Sequence, residues 1–476
     1  MVAKGFDDQT HKHFGRYKED YVDLHDFLAG ERRIKEQGDR YTPRLEGHRN
    51  KPESTYNTYK AFGILYNALH RTRQGLKGAI LRKPVDILFP ESQKAILDDI
   101  MLNGASFGDL ARMACDDVLG YGRYGVLVDI DEDEDPYVAT YNALSILNWP
   151  EIVKAGAPQK IKLAEKIEIP DPDEPGKLKE IQQIRQLELD DKGKYLVTLL
   201  REVDGEWVAF QDVENPNPRM PTYKGVRLDY IPFTFFGATS NVPNPSRPPL
   251  LDLLYLVKGH WRLTVAYQYG VNFAGLPTPW FAGFVHEDGS TAPLGPGVAY
   301  FADDPGATCG FLQTGGEGLA SMEHALDRLE GQMAIVGARL LEEQRAGVEA
   351  AETVRLRSSG DSATLADIAG NIEHGLTQVL RNIGFWLGIG EKEAQVSVNK
   401  DFTSVKASPQ DITAWVQALQ GGAMSLETFL WNMEQGEMIQ PGRTVEDEMD
   451  AIAEDKLKAA RETPGLQKLA GQFLTQ

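Results

Sequence analysis

The feature that most constrains this chain is a long apolar seam past its middle. Met322, Leu326, Leu329, Met333, Val336 and Leu340 recur at intervals of four and three, the spacing that keeps one stripe of a helix against a partner helix. At 1.5 Å per residue, the seam from Met322 to Leu340 would extend roughly 30 Å along a helix over 319–343. Such a helix has to pack on something of similar length, and the chain offers a candidate. Leu250 to about Phe273 is aromatic-rich and helical in pattern, and Pro277 and Pro279 terminate it. Between the two, residues 280–316 hold Trp280-Phe281-Ala282-Gly283-Phe284-Val285, a Gly/Pro turn region and Val298-Ala299-Tyr300-Phe301. That insert has too little apolar mass for an independent core and is expected to lean on neighbours.

A third long helix is predicted from about Asp361 to Leu387, with Leu365, Ile368, Ile372, Leu376, Val379, Ile383 and Trp386 on one side and Gly388 and Gly390 closing it. The linking stretch 344–360 is small, charged and bracketed by glycines, and reads as a mobile loop or a broken helix. A strand over Gln395–Phe402, short helices at 409–419 and 425–435 and a strongly charged tail complete this half.

The N-terminal half mixes helices with antiparallel strands. Residues 1–40 are polar and read as a loosely ordered arm. From Ser54 to Ile80 a single helix is predicted with Tyr59, Phe62, Tyr66, Leu69, Leu76 and Ile80 inward, closed by Arg82-Lys83-Pro84. Ser106-Phe107-Gly108-Asp109 has capping-box spacing, and Leu110, Met113, Ala114 and Val118 follow on one face. A strand over Tyr124–Asp129 and a return over Tyr137–Tyr141 suggest a hairpin. Alternation in Lys162–Ile169, Tyr195–Arg201 and Glu206–Phe210 predicts further strands, with a turn at 170–176. Ile231–Phe236 reads as a buried strand, and the Pro-rich Asn241–Pro249 is the clearest boundary. The fold class is therefore α+β.

Composition narrows the function. The 476 residues are 42% apolar and 25% charged, with a net charge of −20, the opposite of what tight gripping of a phosphate backbone requires. A duplex that slides past without sticking is compatible with that charge. Two cysteines far apart, Cys115 and Cys309, make neither a disulfide framework nor a thiolate zinc site. A reducing compartment fits them. The N-terminus lacks the apolar core of a signal peptide, and no apolar run suffices to span a bilayer, so no membrane association is expected.

Several motifs suggest chemistry and lack its context. Gly120-Tyr121-Gly122-Arg123-Tyr124-Gly125 has the dinucleotide-binding spacing, but a helix precedes it and a strand follows, the reverse of the required order. Gly104-Ala105-Ser106-Phe107-Gly108 matches a nucleophile elbow without a preceding strand. Asp129, Asp131 and Asp133 begin like a calcium loop, yet Glu134 stands where glycine is needed and Thr140 where a carboxylate is needed. His11-x-His13 is the one close histidine pair and has no acidic partner at metal-site spacing. No GxxxxGK[ST] occurs. Neither a catalytic site, a cofactor nor a metal is expected.

The order of the short motifs resembles portal proteins of tailed bacteriophages, in particular a branch known only as a domain of unknown function. The residues that carry the resemblance are Tyr41-Thr42-Pro43-Arg44-Leu45-Glu46, Tyr66 to Leu76 with Arg82-Lys83-Pro84, Gly104 to Phe107, and Gly120 to Asp129. Asn148-Trp149, Pro248 to Leu253, Leu276-Pro277-Thr278-Pro279 and Thr364 to Asp367 continue it, so it spans about residues 40–450.

The resemblance implies a portal fold: an N-terminal arm over 1–40, a mixed α/β wing over 41–247, stem helices over 248–274 and 319–343, and a small β-containing clip over 275–318. A tunnel loop over 344–360, a wing helix and strand over 361–405, and a short helical crown over 406–476 would follow. It also implies a dodecameric ring at one capsid vertex that passes DNA during packaging and ejection. Its partners would be further copies, the terminase large subunit, a head-tail adaptor, major capsid and scaffolding proteins, and transient non-specific double-stranded DNA. The virion is then the expected location, after assembly in the host cytoplasm.

On that reading Arg345, Arg355 and Arg357 would approach DNA from the tunnel loop, and Glu323, Asp327 and Glu330 would line the channel unless they form an ordinary solvated face. Trp280 and Phe281 would contact partners at the clip unless they are core positions. Two alternatives stand beside it: a capsid-associated scaffold without a channel, and an unrecognised hydrolase using Ser106 or an acidic metal site.

Overall fold

A computed structural model describes residues 6, 9–131, 135–151, 159–171, 174, 176–210, 217–276, 278–283, 302, 304–312, 317–341, 351–400, 409–435, 438–439, 443 and 445–462. The chain divides into two compact units, residues 1–400 and 401–476.

The first unit begins with helices where the sequence suggested a loose arm. α1 (Lys18–Ala29) and α2 (Glu31–Glu36) bury Tyr21, Leu24, Phe27 and Ile34. This corrects the arm assignment over these residues: a stripe at spacing three sits inside a segment whose average composition is polar. Asp23 and Asp26 are buried with it, and both accept from the Tyr41 hydroxyl, at 2.9 and 2.7 Å. Arg40 bonds Asp23 at 2.6 Å and Arg33 bonds Asp26 at 2.8 Å, so each buried carboxylate has a cation.

The predicted helix over 54–80 is two helices, α3 (Glu53–Ala61) and α4 (Ala68–Ile80). The break falls where a Cβ on Gly63 would come within 2.3 Å of the Trp261 ring, and Asn67 then caps α4 by accepting from His70 N–H. Tyr66 is left exposed, whereas Leu69, Leu76 and Ile80 are buried as expected. A short strand β1 (Asp86–Leu88) follows.

α5 (Phe107–Tyr121) begins at the anticipated capping box: Ser106 Oγ accepts from Asp109 N–H at 3.2 Å, and the Asp109 carboxylate accepts from Ser106 N–H at 3.1 Å. Leu110, Ala114 and Val118 are buried, but Met113 is exposed. Gly122, at φ 69°, ends α5 in the left-handed conformation that glycine adopts without strain. The glycine-rich motif is thus a helix stop leading into β2 (Arg123–Ile130), which pairs with β3 (Pro136–Asn142) as the expected hairpin.

β4 (Ile146–Asn148), β5 (Lys160–Pro170), β6 (Leu178–Leu189), β7 (Tyr195–Val203) and β8 (Glu206–Ala209) form an antiparallel meander in that order. β6 was not anticipated. After the small hairpin of β9 (Thr222–Tyr223) and β10 (Val226–Arg227), β11 (Phe233–Gly237) joins β2 to give the order β11-β2-β3. Asp129, at the C-terminal end of β2, is buried and pairs with Arg185 of β6 at 3.1 Å and with Arg219. That is a structural ion cluster between the two sheets, at the position that would have opened a calcium loop.

α6 (Leu251–Gly275), β12 (Thr278–Ala282), β13 (Thr308–Leu312) and α7 (Glu317–Leu341) come next. α8 (Ala351–Leu387) starts ten residues before the predicted Asp361. Its first turns hold Ala351-Glu352-Thr353-Val354-Arg355-Leu356-Arg357, all tolerated in a helix, and the single Gly360 costs only about 1 kcal/mol. The loop assignment is corrected over 351–360, while 344–350 lie outside the described residues. Leu365, Ile368, Ile372, Leu376, Val379, Ile383 and Trp386 are all buried. Gly375 lets α8 approach β11, since a Cβ there would fall 2.3 Å from the Phe236 ring. β14 (Gln395–Ser397) closes the unit by pairing with β1.

In the second unit, α9 (Pro409–Gln420) and α10 (Leu426–Gln435) match the predicted helices, and α11 (Val445–Glu462) shows that part of the charged tail is helical.

Candidate functional site

The two long helices expected from the sequence pack on each other, and the manner in which they leave the core defines the candidate site. In α6 the buried residues stop early: Leu251, Leu253, Leu254, Val257, His260, Trp261, Thr264 and Val265 are buried, and nothing after Val265 is. The first half is held by the N-terminal segment. Trp261 Nε1 donates to Thr42 Oγ1 at 3.1 Å, the Tyr255 hydroxyl donates to Asp20 at 2.9 Å, and Lys258 pairs with Asp23.

Past Val265 the helix carries Val271 and Phe273 in exposed positions, and Leu276, just beyond its last residue, is 65% exposed. Burying that much aliphatic and aromatic surface is worth ~25 cal/mol per Å2, and isolated small patches are ordinary, but here they follow one another along a projecting element. α7 packs alongside: Gly270 of α6 accepts the Leu319 side chain so closely that a Cβ would lie 2.9 Å from it. Further along, His260 Nε2 lies 3.1 Å from Glu330 Oε1. The seam behaves as expected where it is described, with Leu326 and Met333 buried and Met322, Leu329 and Val336 half-buried.

β12 and β13 pair between the helices, with Trp280 opposite Gly310 and Phe281 opposite Cys309. The Val298–Phe301 part of the insert lies outside the described residues. The Trp280 ring rests over Gly310, where a Cβ would stand 3.1 Å from Nε1, yet Trp280 remains 45% exposed and Phe311 of the facing strand 65%. Phe281 is half-buried. Sequence reasoning selected Trp280 and Phe281 and missed Val271, Phe273, Leu276 and Phe311. A helix pattern that loses its polar face before a proline-rich exit was the available signal.

The predicted acidic stripe separates into two kinds of position. Glu323 and Asp327 are exposed and have neither an ion pair nor a hydrogen bond among the described residues, whereas Glu330 is turned to His260. Arg355 and Arg357 belong to the helical backbone of α8, and Arg345 lies outside the described residues. Elsewhere, the Ser106 hydroxyl is occupied at the N-cap of α5 and donates to Asp109 at 2.7 Å. Among the described residues no helix is long and apolar enough to cross a membrane.

A family model described as "Domain of unknown function (DUF4055)" matches residues 249–387. The matched stretch covers α6, the β12–β13 hairpin, α7 and α8, and it contains Leu276–Pro279 and Thr364–Asp367 from the motifs that carried the sequence resemblance. Three solved chains align at 12% identity. One is from the virion of a native gene transfer agent particle, with a TM-score of 0.34, covering 79% of this chain and 91% of that one. Another is from the neck of an empty particle computed with C6 symmetry, with a TM-score of 0.34 and coverages of 80% and 93%. The third is from the neck of a native particle computed with C12 symmetry, at 0.33, 78% and 91%. No curated protein matches the chain.

Proposed function

We propose that this chain is the subunit of a phage portal, a ring whose central channel passes DNA into and out of a capsid. The observation that carries the reading is the unit of α6, the β12–β13 hairpin and α7: two 25-residue helices leave the core together and bear a hairpin with Trp280 and Phe311 exposed. Such a projection gains its missing contacts when copies stand side by side around an axis. The α6–α7 pair is the stem and the hairpin the clip. Residues 41–247 with α8 and β14 form the wing, and the second unit forms the crown.

Glu323 and Asp327 face the channel in this reading, where rings of carboxylates keep DNA from adhering. Arg345, Arg355 and Arg357 approach phosphates near the stem-to-wing connection. Trp280 and Phe281, with Phe311, form the surface that meets a neighbouring copy, the terminase large subunit or the head-tail adaptor. Capsid and scaffolding proteins would surround the wing, and the mature location is the virion vertex.

Native mass measurement combined with negative-stain imaging of the purified full chain tests the proposal. Closed rings of about a dozen copies with an axial opening are expected for a cyclic assembly of this kind. Monomers or dimers at every concentration, or a closed assembly with no opening, would favour a channel-free capsid scaffold instead.

A further inference from the structure

The histidine pair near the N-terminus takes no part in the stem, and its surroundings are specific. The backbone N–H of His11 donates to Leu147 O of β4 at 2.8 Å, and its ring stacks on Trp149 with centroids 4.3 Å apart. The His11 side chain is only 8% exposed. Trp149 also carries the guanidinium of Arg123, 4.2 Å from its ring, and Arg123 is itself buried with Nη1 donating to Pro243 O at 2.6 Å. On either side of His11, Gln9 Oε1 accepts from Lys162 of β5 at 2.6 Å and Phe14 is buried.

His11 Nδ1 accepts a hydrogen bond from the His13 backbone N–H at 3.1 Å. An imidazole can accept only while it is neutral; a second proton turns the acceptor into a donor pointed at another donor. The surrounding charge acts in the same direction. Lys12 and Arg123 are the cations around the ring, His13 is a second imidazole beside it, and Glu151 is the carboxylate. Glu151 Oε1 lies 3.9 Å from Nε2 of both His11 and His13, and 2.5 Å from Lys12 Nζ.

We propose that residues 9–14 are an acid-released latch held against β4 and β5, with His11 as its sensor. Burial and the neighbouring cations hold the His11 pKa below its ordinary value, so the docked segment binds protons less readily than the free one. Docking is therefore favoured above the ordinary histidine pKa and weakens as pH falls through and below it. Protonation breaks the Nδ1 bond, adds a positive charge beside Lys12 and Arg123 where one carboxylate stands, and releases the segment, uncovering Trp149 and the β4 end of the meander. The device is independent of ring formation.

Hydrogen exchange of peptides covering residues 9–14 in the full chain, corrected for intrinsic rates, reads the latch directly. Protection should fall by about tenfold or more between roughly pH 7.5 and roughly pH 5, the range in which histidine titrates. His11→Asn keeps a side-chain acceptor without a titrating group and should show the same protection at both pH values. His13→Asn should retain the acid response. Equal protection of the unmodified chain at both pH values would overturn the latch, as would an undiminished acid response in His11→Asn.

Discussion

His260 and Glu330 join α6 to α7 through a 3.1 Å contact between Nε2 and Oε1, at the level where α6 is about to leave the core. The histidine is buried and the carboxylate half-exposed, so the contact sits at the edge of solvent. Glu330→Ala should lower stability by about 1 kcal/mol, the net worth of one such hydrogen bond, whereas Glu330→Gln should cost less because it keeps an acceptor. Thermal denaturation of the two variants side by side checks the order.

Asp129 stands between Arg185 and Arg219 with its side chain 1% exposed. Removing it leaves a buried guanidinium short of a counter-charge. Asp129→Ala is expected to destabilise by about 3 to 5 kcal/mol, measured by urea titration, and Asp129→Asn by less. A loss below ~1 kcal/mol would mean that Glu165, which bonds Arg185 at 2.7 Å, satisfies the cluster alone.

Ser106 separates the capping and hydrolase readings. Ser106→Ala should cost about 0.5 to 2 kcal/mol through the lost N-cap, visible as a lower melting temperature. A hydrolytic activity abolished by the same change, with the fold intact, would instead restore the enzyme reading.

Asp117 on α5 gives a pH dependence of opposite sign to the latch. Burial pushes its carboxyl up to about 7, with Arg73 opposing the shift and Asp116 adding to it. Because the folded pKa is raised, the stabilising effect of the proton is complete below about pH 4 and lost as pH rises through about 7. Asp117→Asn should therefore stabilise the chain above about pH 7, by on the order of 2 kcal/mol, and the gain should vanish near pH 4. Melting curves of both proteins across that range decide it.

The sequence was most informative where one stripe of residues makes one burial decision. Every residue expected on the buried side of α8, from Leu365 to Trp386, is buried, and the Ser106 cap is in place. It was least informative where burial depends on a distant partner. Nothing near Asp23 and Thr42 announces that Lys258 and Trp261, more than two hundred residues later, will bond them. β6 was hidden because Glu180, Gln182 and Gln186 dilute its alternation while β5 and β7 hold it by backbone pairing. The candidate site was legible as two helices and an aromatic insert; which of its apolar residues stay uncovered depends on where α6 leaves the core, a tertiary fact with no local signature.

The clamp that Thr42, Asp20 and Asp23 place on Trp261, Tyr255 and Lys258 bears on how this chain can be divided. The stretch recognised as a family, 249–387, is continuous in sequence but not self-sufficient in space. Expressed alone it would present Leu253, Leu254, Val257 and Trp261 to water along the opening turns of α6. A soluble fragment of the helical pair therefore has to bring Asp20, Asp23 and Thr42 with it, so the stretch the family model matches is smaller than the unit that folds.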